Sequence, residues 1–158
     1  MAQKSEREQA QRNVAENRKA RHDYHILETY ETGLVLLGTE VKAIREGRAN
    51  LRDSYARVDK GEIFVHNLHI SAYSHSGYAS HDELRKRKLL LHLSEIRKLI
   101  GKTVERGMTL VPLRLYFKNG RAKLEIGLAK GKKDYDKRET IRRRETDRET
   151  RAAMKSGR

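Results

Sequence analysis

Between His22 and Ala129 apolar side chains recur with the short period of β-strands, and beyond Lys130 they almost cease. Tyr24, Ile26 and the run Leu34-Val35-Leu36-Leu37 supply strand residues, with Glu31-Thr32-Gly33 expected as a turn or bulge between them. Gly38-Thr39 reads as a helix entry with Thr39 as N-cap. Val41 and Ile44 then share a face, and Gly47 stops the turn. Residues 54–60 and 62–70 read as two strands joined at Lys60-Gly61. Residues 71–83 have no period and form a long polar loop, of the kind that is commonly functional or disordered. The basic block Arg85-Lys86-Arg87-Lys88 runs into Leu89-Leu90-Leu91-His92-Leu93. Ser94 can cap a helix whose Ile96, Leu99 and Ile100 line one face and which ends near Gly101 or Gly107. Residues 1–20 are polar, with Val14 isolated, and are expected to be mobile or helical only on contact.

The clearest local signal lies between Leu110 and Leu128. Asn119-Gly120 is the dipeptide of a type I′ hairpin turn, in which both positions need positive φ. Pairing Lys118 with Arg121 then sets Phe117 against Ala122, Leu115 against Leu124, Leu113 against Ile126 and Val111 against Leu128, all on one face. Arg114, Tyr116, Lys123 and Glu125 fall on the other. A slip of one residue would put charge in the core, so the register is expected to be firm.

These elements predict a mainly β fold: a small antiparallel β-barrel of the oligonucleotide-binding type, closed or nearly closed, with two or three short helices. An open α+β sandwich fits the same pattern. Past the barrel, residues 139–158 hold Ile141 and Met154 as their only sizeable apolar side chains. Acid-first pairs four residues apart (Asp134 with Arg138, Glu139 with Arg143, Asp147 with Arg151) favour a helix there, each by about 0.2–0.5 kcal/mol. With no apolar stripe, this tail is expected to be disordered when free and helical when bound.

Charge gives the pattern a purpose. The chain has 158 residues and a net charge of +14, and residues 130–158 alone carry twelve basic groups against six acidic. Such a field attracts polyanions, nucleic-acid phosphates above all, although a solubilising surface has the same composition. The absence of cysteine excludes disulfides and thiolate metal sites. No apolar run reaches signal-peptide or membrane-spanning length, so a cytoplasmic protein without membrane contact is expected.

Enzyme chemistry finds little support. The stretch from Gly127 to Lys133 resembles a phosphate-binding loop but is one residue short and lacks the hydroxyl after its lysine. His66, His69, His75 and His81 have no metal-ligand spacing and read as surface or RNA-contacting residues. Asp23, Glu31, Glu40 and Asp53 do not cluster in sequence. Neither a cofactor nor a metal is expected, and no catalytic residue is assigned. Binding chemistry fares better. Arg18, Lys19 and Arg21 lie beside Tyr24, the block at 85–88 includes Lys88, and Arg114, Lys118, Arg121 and Lys123 decorate the hairpin. Basic groups for phosphates and tyrosines for unstacked bases suit single-stranded or looped RNA. Tyr55 and Tyr116 read equally well as barrel packing.

Several stretches together resemble the SmpB family. They are residues 17–24 (Asn17-Arg18-Lys19-Ala20-Arg21-His22-Asp23-Tyr24), Leu36-Leu37-Gly38-Thr39-Glu40-Val41-Lys42, Ala49-Asn50-Leu51-Arg52-Asp53-Ser54-Tyr55, Arg87-Lys88-Leu89-Leu90-Leu91, and Ala129-Lys130-Gly131-Lys132-Lys133 with Asp136-Lys137-Arg138. The resemblance implies an adaptor without catalytic activity of its own. Its barrel would hold the tRNA-like domain of transfer-messenger RNA, and the protein would stand in for the missing anticodon arm in the A site of a stalled ribosome. It implies RNA-binding roles for Glu31, Leu90 and Lys123, and the matching stretch 17–24 adds Asn17 and His22 to the RNA-binding residues. On pattern alone, Glu31 can equally be a turn carboxylate and Leu90 a core residue. In the tail it implies that Gly131, Lys132, Lys133, Asp136, Lys137 and Arg138 lie near the small-subunit rRNA of the decoding centre, with the tail in the messenger channel. Tyr135 stands where some relatives have His, and Ala153-Met154 departs from an expected Ile-Met pair. The expected organisation is a flexible extension over 1–16, an RNA-binding barrel over 17–130 and a basic tail over 131–158, in a monomer. The other reading is a general single-stranded RNA-binding or ribosome-associated protein without that specificity.

Overall fold

The computed structural model describes residues 12–73, 80–105, 107–132 and 134–156. The chain runs β1 (Arg12–Glu16), α1 (Arg18–Asp23), β2 (Tyr24–Leu34), α2 (Gly38–Arg45), β3 (Ala49–Asn50), β4 (Tyr55–Asp59), β5 (Glu62–His66), β6 (His69–Ile70), β7 (Arg87–Leu90), α3 (Leu93–Glu105), β8 (Thr109–Lys118), β9 (Arg121–Gly131) and α4 (Asp134–Ser156). Strands β8, β4, β5, β7, β2 and β9 pair in that order, and β9 pairs back onto β8, so the antiparallel ring is closed. This decides against the open sandwich. Closure is thinnest between β4 and β8, which meet at Ala56 and Leu110. Strands β3 and β6 form a separate pair.

The inner face holds one core that includes Ile44, Leu51, Ile63, Val65, Leu68, Leu89, Leu99, Leu115 and Leu124. Each such side chain, fully buried, is worth roughly 1.5–3 kcal/mol. The Asn119-Gly120 turn has the expected geometry, with φ of 52° and 76°, and Lys60-Gly61 adopts a similar one, with φ of 49° and 76°.

The β8–β9 register follows the expected pairing from Lys118↔Arg121 to Arg114↔Glu125 and then departs from it. A bulge between Pro112 and Arg114 sets Pro112 opposite Ile126 and Leu110 opposite Leu128. Proline has no N–H to give a ladder, which is why strands break register at such a residue. The extra residue turns Val111 and Leu113 to the outer face, where they form a second, smaller core with Ala20 and Ala129, flanked by Tyr24 and Ile26. Gly127 makes room for this layer: a Cβ there would sit 3.0 Å from Ile26 Cγ2 and 3.1 Å from Leu113 Cδ1.

Other expectations are corrected in detail. Residues 12–16, assigned to a flexible extension, pair with β8 from Arg12↔Phe117 to Glu16↔Arg114. They satisfy the edge that β8 exposes beyond its contact with β4. Residues 31–33 are not a turn, because β2 runs through them, and its irregularity lies between Ile26 and Glu28. Thr39 is not the N-cap of α2; Leu37 is, and its N–H donates to Glu40 Oε1 at 2.8 Å. Ser94 likewise lies inside α3, whose Ile96 N–H bonds the His92 carbonyl at 3.1 Å. The strand expected over 62–70 is broken at Asn67, which has φ 58°.

The least anticipated feature is an ion cluster in the core. Glu40 and Arg87 are both fully buried and paired. Arg85 Nη2 reaches the same carboxylate at 2.5 Å, and Arg87 also donates to the Leu68 carbonyl at 2.6 Å. Burial drives the Glu40 carboxyl up, yet the hydrogen bonds from Arg85, the Leu37 N–H and Arg87 prevail and hold it below the usual carboxylate range. On the outside, Glu28 joins β2 to α3 through Lys102 Nζ at 2.5 Å. That bond, followed by one from Tyr30, lowers its carboxyl to about 2.

The tail forms the helix α4, 23 residues long, roughly 35 Å at 1.5 Å per residue. Its start is fixed by Lys132, whose N–H bonds the Asp23 carbonyl at 2.9 Å. Among the described residues, no helix is long and apolar enough to cross a membrane.

Candidate nucleic-acid interface

Three residues far apart in sequence, Glu31, Leu90 and Lys123, line one hollow of about 390 Å³ with Gly33, Leu91, His92 and Glu95. Strand pairing assembles them. Gly33 of β2 lies opposite Lys123 of β9 on one side and Leu90 of β7 on the other. Gly33 also lets Leu90 come close, since a Cβ on it would lie 3.2 Å from the Leu90 Cβ. Leu90 is 49% exposed, so it is not a core residue, and its apolar face is available to a sugar or base.

Glu31 is held in place by residues that the sequence did not single out for that role. Tyr116 donates its hydroxyl to Glu31 Oε2, and Lys118 Nζ lies 3.4 Å from the same oxygen. The Tyr116 hydrogen bond is the main cause lowering the Glu31 carboxyl below its ordinary value. Burial opposes it, while Lys118 and Lys123 add to it. Burial and the Glu31 contact push the Tyr116 phenol up, so it remains a donor. Tyr116 is buried, yet on the outer face, with Arg114 4.4 Å over its ring. The hairpin register that sets Tyr116 opposite Lys123 was the signal that could have found it.

The residues expected from 17–24 gather at the other end of the β2–β9 ladder, which runs from Tyr24↔Gly131 to Gly33↔Lys123. At about 3.3 Å per residue the two ends are roughly 30 Å apart. Asn17 is spent internally. Its Oδ1 accepts from the Ala20 N–H at 3.2 Å, capping α1, while its Nδ2 donates to the Pro112 carbonyl at 3.0 Å. Arg18 and Arg21 line a second hollow with Arg114 and Glu125, and Arg21 lies 3.8 Å from Glu125. Lys19 and Tyr24 line a third with Asp53 and Tyr55. His22 Nδ1 bonds Asp23 Oδ1 at 3.0 Å. Gly131 ends β9 and Lys132 bonds back to α1, so the root of the tail belongs to this pole.

The other expected residues are dispersed. Lys88 points outward from β7 to Glu62 at 3.0 Å, whereas its neighbour Arg87 is buried, so the block at 85–88 is not one surface patch. Tyr135, Asp136, Lys137 and Arg138 lie in the first turns of α4, Met154 is exposed near its end, and Lys133 falls outside the described residues. The histidines have structural partners. His69 bonds Glu83 at 2.8 Å, His81 bonds Thr39 and the Ile70 carbonyl, and His66 stacks on Tyr55. His75 lies outside the described residues.

The chain is similar to proteins called SsrA-binding protein. That of Geobacillus thermodenitrificans (strain NG80-2) is 63% identical over 142 residues, covering 90% of this chain and 92% of the relative. The Syntrophobacter fumaroxidans protein is 62% identical over 136 residues, covering 86% and 84%, and the Bacillus subtilis (strain 168) protein is 56% identical over 142 residues, covering 90% and 91%. A chain solved under the heading "tmRNA-SmpB: a journey to the center of the bacterial ribosome" superposes with a TM-score of 0.64 at 51% identity, covering 81% of this chain and 94% of that one. The family described as SmpB protein matches residues 14–156, from the strand that completes the edge of β8 to the end of the tail helix. With the closed ring, the Glu31 hollow and the tail all inside that match, the chain belongs to the SmpB protein family.

Proposed function

We propose that this protein is an RNA-binding adaptor of trans-translation. The barrel grips the tRNA-like domain of transfer-messenger RNA, and the tail enters the empty messenger channel of a stalled ribosome, where the root of α4 faces small-subunit rRNA at the decoding centre. The protein so stands in for the missing codon–anticodon arm and allows the nascent peptide to be tagged and the ribosome freed. It acts in the cytoplasm, as a monomer, without a cofactor and without catalysis of its own. The single observation that carries this reading is the convergence of Glu31, Leu90 and Lys123 in one hollow, supported by relatives whose name specifies SsrA binding and a neighbour whose heading joins tmRNA with SmpB.

The chemistry of the hollow suits RNA. Lys123 neutralises a phosphate, the ionised Glu31 accepts from a base edge or 2′-hydroxyl, and the exposed Leu90 packs on a sugar or base face. Labelled tRNA-like domain, titrated against the full chain and a chain ending at Gly131 with excess ordinary tRNA, tests this. Both chains are expected to bind and resist competition. Lys123→Ala is expected to weaken binding and to reduce the slope of log affinity against log salt by about one. Leu90→Ala is expected to weaken binding while shifting stability by no more than about 0.5 kcal/mol, as for an exposed side chain. If competitor strips the RNA from both chains, the surface binds RNA generally and the specific reading fails.

A further inference from the structure

The two carboxylate oxygens of Glu31 are not equivalent. Tyr116 donates its hydroxyl to Oε2, and Lys118 Nζ leans on the same side, 3.4 Å from Oε2 and 3.5 Å from Oε1. A carboxylate has about four lone-pair sites over its two oxygens, so Oε1 is the oxygen left for a ligand. Tyr116 is itself held in place. It is 1% exposed although it lies on the outer face, and the Arg114 guanidinium sits 4.4 Å over its ring. Arg114 in turn donates to Asn13 Oδ1 at 3.3 Å and to Glu125 Oε2 at 3.5 Å. Asn13 belongs to β1, where it stands opposite Tyr116. A strand outside the closed ring thus starts a relay that runs Asn13, Arg114, Tyr116, Glu31.

We propose that this relay makes the Glu31 hollow a reader of the RNA backbone: Glu31 Oε1 accepts from one ribose 2′-hydroxyl, and Tyr116, backed by Arg114 and β1, is the positioning residue that aims it. The inference rests on the adaptor reading above and deepens it. A guanine edge offers two parallel donors and is met best by both oxygens of a carboxylate, whereas Glu31 has one to give. A 2′-hydroxyl offers a single donor, beside a phosphate and on a sugar with an apolar face. The hollow has the same order. Gly33 lies two residues from Glu31 on β2, roughly 7 Å away. Lys123 stands opposite it on one side and Leu90 on the other. Phosphate, hydroxyl and sugar of one nucleotide thus meet Lys123, Glu31 and Leu90. Backbone contacts fix register without reading sequence, and the 2′-hydroxyl separates RNA from DNA. The hollow therefore selects ribose and is indifferent to the base it carries.

The test uses the full chain and a set of tRNA-like domains, each with one 2′-deoxynucleotide, the position scanned along the strand. One position is expected to lose affinity roughly tenfold, the worth of one hydrogen bond to a charged group. Changing the base there is expected to cost no more than about twofold, less than the weakest discriminating base contact. In Glu31→Ala the deoxy loss is expected to vanish, and in Tyr116→Phe, which keeps the ring under Arg114, to shrink. Glu31 faces Tyr116 and Lys118 of β8, Lys123 and Glu125 of β9, and His92 and Glu95 across the hollow. Its charge is therefore read directly, by carbon-13 titration of its carboxyl in the free protein. The Tyr116 hydrogen bond is the main cause holding that carboxyl low, so its midpoint is expected to rise in Tyr116→Phe and, by less, in Asn13→Ala. The proposal is overturned if no single deoxynucleotide weakens binding, if the base change costs more than the missing hydroxyl, or if the loss persists in Glu31→Ala. An unchanged Glu31 midpoint in Tyr116→Phe overturns the positioning role. Failure of the parent to bind the unmodified tRNA-like domain would count against the adaptor reading instead, since the titration runs without RNA and still tests the relay.

Discussion

Arg87 shows how a residue can be misread when only its neighbours in sequence are known. In the block 85–88 it looks like surface charge, yet β7 alternates, and Arg87 shares the inner face with Leu89. Glu40 lies one helical turn before Ile44, on the buried face of α2. In the sequence Glu40 read as one of several scattered carboxylates and Arg87 as part of a basic block; that they meet was not legible, because 46 residues and a loop intervene. Removing one partner of a buried pair strands the other charge, so Glu40→Ala should lower unfolding free energy by about 3–5 kcal/mol, measured by urea denaturation. The pH dependence has a definite sign. Glu40 is held below its unfolded value of 4.5, so its contribution is present above that pH and lost as pH falls through the lower folded value. The urea midpoint of the parent should therefore fall between pH 5 and pH 3 more steeply than that of Glu40→Gln, and parallel curves would contradict this. Leu90 and Glu31 were legible only through the family likeness, since neither carries a local signal of exposure or of mutual contact, whereas the hairpin alternation already set Lys123 on the outer face.

At the scale of elements, turn chemistry was readable and caps were not. Asn119-Gly120 fixed a register that holds until Pro112, where the bulge reverses the facing of Val111 and Leu113 and provides the seat for α1. The alternation 110–117 contained the apolar residues of both faces, and nothing local said where one set gave way to the other. Asn17 makes the seat specific by capping α1 and gripping the β8 carbonyl of Pro112 at once. Asn17→Ala should cost about 0.5–2 kcal/mol, the range for a lost N-cap. It should also speed amide exchange at Ala20, the donor to the Asn17 side chain. Asn17→Asp keeps the capping oxygen but not the donor to Pro112, and so should protect Ala20 better than Asn17→Ala does. Equal exchange at Ala20 in the two variants would remove capping as the explanation. Exchange in β5 should be unaffected, because that strand lies on the far side of the ring.

On the scale of the whole molecule, a closed ring holds two poles apart and hangs a charged helix from one of them. The ring was foreseeable from strand pattern, but its closure was not, because the pairing of β4 with β8 rests on a single register position, Ala56 and Leu110. The helix α4 differs in kind from the barrel. Its sequence has Ile141 and Met154 as its only large aliphatic side chains, both exposed. Beyond its contact with α1, its stability in the free chain thus rests on local terms: the anchor at Lys132, the acid-first charge pairs and intrinsic propensity. An isolated helix of this length is marginal in water. The signal of α4, taken as the difference in ellipticity at 222 nm between the full chain and a chain ending at Lys132, should therefore decay gradually on warming from the lowest temperature. The barrel should unfold later in one cooperative step, at the same midpoint in both chains. Added salt should reduce the helical difference further, because it screens the charge pairs. A tail signal lost only within the barrel transition would mean that α4 is packed on the body and cannot swing free to enter a channel.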